Sequence, residues 1–360
     1  MKKKLRSGFT TGACSAAATK IAILSIIKNA PIKDKVDVWF PDNRYFSFKP
    51  YSIKKISENC YEVIIKKFAG DDPDITDGAL IGAKVLYKPC EKLKIRIKGG
   101  KGVGKVTKPG LPVKVGDYAI NPVPRLMIEK NIKEVVSSGE IEVEIFVIDG
   151  EKLAKKTLNE KLGIIGGISI LGTSGIVKPV STQAWLDTIK IEMNVAKAVG
   201  LKEIVLVTGR STEKILKKEF NFKDEAYITI GDHIGFSLKE GVKKGFNHII
   251  LAGMFGKFTK IACGEFQTHV KNSTLFIKKL AEFFVDFKKE YDKDFLEIIK
   301  NSITARNVFD EALKRGYTDF LEYICNKVCE NCYDFIEKKV KITTILVGFS
   351  GGVIAKATKG

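Results

Sequence analysis

Four short apolar runs in the second half of the chain each end in a glycine loop, and this repetition restricts the fold more than any other feature. Residues 203–207 run into Thr208-Gly-Arg210, and 227–230 into Gly231-Asp-His-Ile-Gly235. Residues 248–251 run into Ala252-Gly-Met-Phe-Gly-Lys257, and 342–347 into Gly348-Phe-Ser-Gly-Gly352. Runs of this length and β-branched content read as buried strands. Strands separated by helical stretches pair in parallel, with helices on both faces. Ligands in such sheets bind beyond the carboxyl ends of the strands, so these loops are expected to face one cleft.

The central stretch 166–181, GGISILGTSGIVKPVS, carries the same signature. Residues 168–171 read as a strand, and Gly172, Thr173, Ser174 and Gly175 as a tight turn. A helix is expected after Pro179, with Ser181 as its N-cap and Ala184, Ile189, Ile191, Val195 and Val199 at helical spacing. Strand, glycine turn and helix open a nucleotide-type α/β domain, whose helix N-terminus suits an anionic ligand. The same residues also read as an ordinary strand-to-helix connection, because GTSG is not GxGxxG.

The first half is patterned differently. Short strands are expected at 36–40, 45–48, 61–67, 83–87, 93–97 and 141–148, with helices at 16–28 and 126–137. Strands without regular helical alternation indicate an α+β domain. Thr10, Thr11 and Ser15 crowd the start of the first helix, where hydroxyls and N–H groups either make an anion site or simply cap it. Cys14 beside them reads as a nucleophile or a small buried residue. Residues 71–77 hold four carboxylates, including Asp72, and read as a structured active-site loop without a permanent metal or as an Asp-rich turn. The glycine-rich run 99–104 lacks the spacing and Lys-Ser/Thr ending of a phosphate loop, which argues against an ATPase. Two prolines in Asn-Pro-Val-Pro fix the backbone around Asn121 and Arg125 and aim both side chains.

A chain of 360 residues suggests two domains, placed here at 1–155 and 156–360. No apolar run approaches the ~20 residues of a membrane span. The start superficially suggests a signal peptide, but its apolar part is interrupted by Lys20 and reads as a loop plus an amphipathic helix, so a cytoplasmic protein is expected. The net charge of +19 suits a polyanionic small molecule or nucleic acid. Only seven of the 61 basic residues are arginine, and Arg6, Arg125 and Arg210 lie in loops where a planar guanidinium pairs well with a carboxylate or phosphate. Cys325, Cys329 and Cys332 have the spacing of an iron–sulfur site, yet with Leu321 and Ile336 they follow one helical face, which is the reading adopted. The other cysteines form no framework and read as reduced thiols.

Together the motifs RSGFTTGACSAAATK, AGDDPDITDGA, INPVPRLMI, GISILGTSGIVKPVS, GDHIGFSLKEGVKKGF and GMFGKFTKIACGEFQTH resemble the CbiD-type cobalt-precorrin-5B C(1)-methyltransferases of anaerobic cobalamin biosynthesis. The resemblance runs from Arg6 to about Gly352. It implies methyl transfer from S-adenosylmethionine to ring carbon C-1 of cobalt-precorrin-5B, giving cobalt-precorrin-6A, with cobalt present only as part of the substrate. The expected architecture is an α+β domain supplying substrate contacts, followed by a Rossmann-like α/β domain with a mostly parallel sheet that binds S-adenosylmethionine. Cofactor contacts are expected from Gly172, Thr173, Ser174, Gly175, Thr208, Gly209, Gly231 and Asp232. Substrate contacts are expected from Arg6, Thr10, Thr11, Ser15, Asp72, Asn121 and Arg125. Asp232, His233 and His269 are the candidates for taking up a proton. The expected partner is an anionic cobalt corrinoid, with no nucleic acid and no membrane; a homo-oligomer is compatible. The alternatives are a small-molecule kinase, from the glycine loops, and a nucleic-acid-binding protein, from the charge.

Overall fold

The computed structural model describes residues 5–269, 273–288 and 291–360. The chain divides into two units, Met1–Thr182 and Gln183–Gly360. In the first, β1 (Gly8–Phe9) leads into α1 (Thr11–Ile27), followed by β2 (Val36–Trp39), β3 (Tyr45–Phe48), β4 (Ser52–Ser57), β5 (Cys60–Lys66), β6 (Leu80–Lys88) and β7 (Lys94–Gly99). Next come β8 (Gly102–Val103), β9 (Lys105–Val106), α2 (Pro122–Lys133), β10 (Glu140–Val147), α3 (Gly150–Ala154), β11 (Ile164–Ile165), β12 (Gly167–Ile168) and β13 (Ile176–Val177). The main sheet has the order β4-β5-β6-β10-β7 and is antiparallel except for the β10–β7 pair.

Alternation in β10 sets the two faces of this sheet. Ile141, Val143, Ile145 and Val147 point into the core, while Glu140, Glu142 and Glu144 point away. On the outer face Lys54, Glu62, Lys84, Glu144 and Lys98 stand opposite one another across five strands, alternating in sign. Such cross-strand pairs stabilise a solvated face and neutralise part of the lysine excess locally. Against the inner face lies α1. It was expected to be amphipathic, but 15 of its 17 residues are buried. Its run of Ala13, Ala16, Ala17 and Ala18 lets neighbours approach on every side, so it is a central helix.

The unit boundary falls 27 residues later than expected. β11 pairs with β9, β12 with β8, and β13 with β1, which joins residues 156–182 to the first unit. The central stretch is therefore not the opening of the parallel domain. Residues 168–171 supply only the end of the two-residue β12, and 172–175 lead into β13 rather than into a helix.

The second unit contains α4 (Thr182–Ala198), β14 (Glu203–Val207), α5 (Arg210–Glu219), β15 (Tyr227–Thr229), α6 (Ile234–Lys243), β16 (His248–Met254) and α7 (Phe255–Ala262). It continues with α8 (Ser273–Phe287), α9 (Lys293–Asn301), α10 (Ala305–Lys314), α11 (Thr318–Phe335), β17 (Lys341–Val347) and β18 (Val353–Lys359). The sheet order is β15-β14-β16-β17-β18, with the first four strands parallel and β18 antiparallel to β17. Ile204 and Leu206 of β14 pack with Ile189 and Met193 of α4, Leu238 of α6 and the helices α7 to α11. Val205 and Val207, one residue out of phase, pack with Leu216 of α5 on the opposite face. Helices thus cover both faces, as expected of a parallel sheet.

Candidate functional site

Parallel strands deliver all their following loops to one edge, and here those loops line a cavity of about 860 Å³ within the second unit. Thr208 and Gly209 follow β14, Asp232 follows β15, Gly256 and Lys257 follow β16, and Phe349 follows β17. The chain moves outward in opposite directions from β14, to β15 on one side and β16 on the other, so the cavity sits where the strand order reverses. Gly209 heads α5 without a side-chain cap, leaving the first N–H groups of that helix for a ligand. Among the lining residues Asp232 is the single carboxylate, against the cations Arg210, Lys257, Lys260 and Arg306. Met254, Phe276, Ile303 and Phe349 give the cavity an apolar side, and the Arg306 guanidinium lies 4.8 Å from the centre of the Phe349 ring.

Lys257 is the hinge of this arrangement. Its Nζ donates to the carbonyls of Thr208 at 3.0 Å and Gly231 at 2.9 Å, and pairs with Asp232 Oδ1 at 3.1 Å. The Thr268 hydroxyl donates to the same Oδ1 at 2.6 Å, and the Thr268 N–H donates to the Asp232 carbonyl. Oδ2 has His269 Nδ1 at 3.7 Å. Partial burial pushes the Asp232 carboxyl up, but the Thr268 hydroxyl, the Lys257 ammonium and His269 outweigh it and hold the group below its ordinary value. A carboxylate held in its charged form is a good acceptor of hydrogen bonds and a poor proton acceptor, which favours an anchoring role over that of a base.

The expected cofactor residues separate. Thr208, Gly209 and Asp232 line the cavity, and Gly231 contributes its carbonyl to Lys257. Gly172, Thr173, Ser174 and Gly175 belong to the first unit. There the Thr11 hydroxyl accepts the Leu171 N–H at 2.9 Å, and Gly175 packs on the Phe40 ring. Of the proposed proton acceptors, Asp232 and His269 line the cavity. His233 heads α6 outside the lining, its Nδ1 3.4 Å from the Gln267 amide and its ring 6.4 Å from that of Trp185.

The expected substrate residues lie in the first unit and mostly hold it together. Arg6 donates Nε and Nη2 to Asp71 Oδ1, at 3.0 and 2.8 Å. The start of α1 is covered by its own chain: Gly12 N–H donates to the Leu171 carbonyl, and Ala13 N–H to the Thr10 hydroxyl. Thr10, Thr11 and Ser15 are buried, and the Ser15 hydroxyl donates back to the Thr11 carbonyl. Within the acidic loop, Asp72 accepts the Val180 N–H, Asp77 accepts the Ala69 N–H, and Asp74 pairs with Lys67. Asn121 heads α2 without making a side-chain cap. Arg125 donates Nε to the Ile120 carbonyl at 3.0 Å and Nη1 to the Ile97 carbonyl at 3.2 Å, tying the start of α2 to β7.

Cys325, Cys329 and Cys332 lie on α11 and are buried in the core of the second unit, matching the helical-face reading. Burial pushes the Cys325 thiol up to about 11 and the Cys14 thiol up to about 12, so neither is a nucleophile at neutral pH. Lys257, Thr268 and Arg306 also line the cavity, and none of them was singled out from the sequence. The one available signal was that Lys257 directly follows the glycines of a strand-end loop.

Fold and cavity define a mixed α/β protein with a cavity at the carboxyl edge of a parallel sheet. The model of the CbiD family matches residues 1–179, and that of the CbiD C-terminal domain matches residues 267–358. A relative from Geobacter sp. (strain M21) is 40% identical over 359 residues, covering 98% of each chain. Another from Priestia megaterium is 40% identical over 362 residues, covering 99% of this chain and 97% of its own. Both are named cobalt-precorrin-5B C(1)-methyltransferase. A crystal structure of a cobalamin biosynthesis protein (cbiD) from Archaeoglobus fulgidus is 32% identical and covers 73% of this chain and 82% of its own, with a TM-score of 0.38. The chain belongs to the CbiD family. The kinase and nucleic-acid alternatives gain no support from these relatives. Among the described residues, no helix is long and apolar enough to cross a membrane.

Proposed function

We propose that the chain methylates ring carbon C-1 of cobalt-precorrin-5B, giving cobalt-precorrin-6A, and that the second-unit cavity holds the methyl donor, S-adenosylmethionine. The observation that carries the cofactor assignment is the convergence of the uncapped α5, the Asp232 carboxylate and an apolar wall at the reversal point of the strand order. The donor needs those three surfaces. Its amino-acid carboxylate suits the α5 N-terminus and Arg210, its ribose hydroxyls suit Asp232, and its adenine suits the apolar side. The volume lies in the range of about 300–1,000 Å³ typical of small-molecule sites. The strand order, with helices on both faces, supports a Rossmann-like reading of this unit.

When bound, the donor supplies an electrophilic methyl group, so the protein's work is alignment and exclusion of water. Lys260 and Arg306 make the cavity attractive to the peripheral carboxylates of a corrinoid. His269, 77% exposed and beside Asp232, is the better placed of the two histidine candidates for taking up a proton. The first unit is assigned the remaining substrate contacts. Arg125 is retained there as a carboxylate partner through the Nη2 group that its carbonyl contacts leave available.

The test is a transfer assay with isotope-labelled methyl donor and cobalt-precorrin-5B, joined to a thermal-shift measurement. Label in the corrinoid, with stabilisation by S-adenosylhomocysteine and none by ATP, is the expected result. Stabilisation by ATP alone, with no label transferred, would overturn the reading.

A further inference from the structure

We propose that Lys257 is a positioning residue for the methyl donor: its ammonium locks the loops after β14 and β15 together and fixes Asp232 through Oδ1, turning Oδ2 to the ligand. This rests on the assignment of the cavity to S-adenosylmethionine.

An ammonium has three donors, and those of Lys257 meet three acceptors between 2.9 and 3.1 Å away. Two of them are backbone carbonyls from different strand ends, Thr208 after β14 and Gly231 after β15. Lys257 itself follows β16. One side chain therefore ties together three adjacent strand ends around the point where the strand order reverses. Gly231, with a φ of +58°, turns the chain sharply out of the sheet, and its carbonyl would otherwise lack this partner. Lys257 and Asp232 are about one-third exposed, at 29% and 32%, which suits a charge pair at a cavity wall. Thr268 doubles the hold on Oδ1, while Oδ2 has only the longer 3.7 Å approach of the exposed His269. A carboxylate fixed in this way meets a pair of ribose hydroxyls without losing rotamer freedom on binding.

The role belongs to shape as well as charge. A guanidinium keeps the charge, but its donors lie in one plane and cannot converge on three acceptors arranged around a single nitrogen. Arginine at this position is expected to act as a partial substitute.

The test is calorimetric titration of S-adenosylhomocysteine into the full chain, with steady-state kinetics and apo melting temperatures alongside. Lys257→Met should weaken S-adenosylhomocysteine binding about ten- to a hundredfold, as loss of a charge-assisted hydrogen bond does. The KM for S-adenosylmethionine should rise, with kcat and the KM for corrinoid near wild type, and Lys257→Arg should fall between. If Lys257→Met does not fold, Thr268→Val, which removes the other bond to Oδ1, should weaken binding in the same selective way. Unchanged affinity in Lys257→Met overturns the proposal. So does a lowered melting temperature with equal damage to both substrates and full rescue by arginine. Gly256→Leu, which projects a side chain into the cavity, separates the two levels. If it leaves binding intact, the cavity assignment fails; if it abolishes binding while Lys257→Met does not, only the positioning role fails.

Discussion

The Thr10 hydroxyl occupies the space that a side chain on Gly172 would need: a Cβ placed there lies 2.4 Å from Thr10 Oγ1. Thr10 also caps α1 by accepting the Ala13 N–H. Gly172 has a φ of +133°, a region that side chains strain to adopt. Gly172→Val should therefore disturb the cap and the backbone together, costing about 2 kcal/mol or more. A chemical-denaturation midpoint lowered in the apo protein is the expected result. An unchanged midpoint would mean that the loop yields more easily than its contacts with α1 indicate.

Lys67 is buried to 1% exposure, and its ammonium pairs with Asp74 Oδ2 at 2.7 Å. Burial raises the Asp74 carboxyl, but Lys67 and the Thr76 hydroxyl and N–H outweigh it and hold the group below its ordinary value. A carboxyl lowered in the folded state stabilises the fold above its unfolded value, and that contribution is lost as pH falls through the folded value. The first unit should thus weaken in acid below the usual aspartate range. Asp74→Asn leaves a buried ammonium without its counter-charge and should cost about 3–5 kcal/mol. Adding Lys67→Met should recover much of the loss; urea melts of both variants across pH check this.

Arg125 joins α2 to β7 through two backbone carbonyls. Lysine has no planar fork with which to reach both, so Arg125→Lys should lower the melting temperature by a few degrees. A raised corrinoid KM at unchanged melting temperature would instead assign the residue wholly to substrate.

Among the cysteines, Cys90 and Cys263 are partly exposed, and the other five are buried. Burial raises Cys263 to about 11, so Cys90 should be alkylated first in the native protein at neutral pH. Mass spectrometry after brief alkylation should find Cys325, Cys329 and Cys332 unmodified until denaturant is added. Early modification on α11 would contradict the packing of that helix.

The parallel sheet was legible because its strands are short, mostly apolar and β-branched runs that each end in a glycine loop, as in 203–207 and 342–347. The edges were not. β4 is the polar run SIKKIS, and β18 is the alternating VIAKATK; both are edge strands whose identity depends on a neighbour distant in sequence. The central stretch misled for a related reason. Its local pattern is strand, glycine and helix, but its partners are Thr10 and Thr11, some 160 residues away. The site was half legible. Thr208, Gly209 and Asp232 stand in glycine loops, whereas the roles of Lys257 and Thr268 arise from contacts that only the folded sheet creates.

The most direct measurement concerns Gly256, which lines the cavity; beyond its chain neighbours and its own helix, no heavy atom of the described residues stands within 4 Å of where its Cβ would be. Gly256→Leu should project a branched side chain into the cavity, where a ligand would otherwise sit, and keep the fold. Calorimetry should then show wild-type chain binding S-adenosylhomocysteine and Gly256→Leu showing no heat of binding, with equal apo melting temperatures. Binding of S-adenosylhomocysteine by Gly256→Leu at wild-type affinity would contradict the placement of the methyl donor in the second unit.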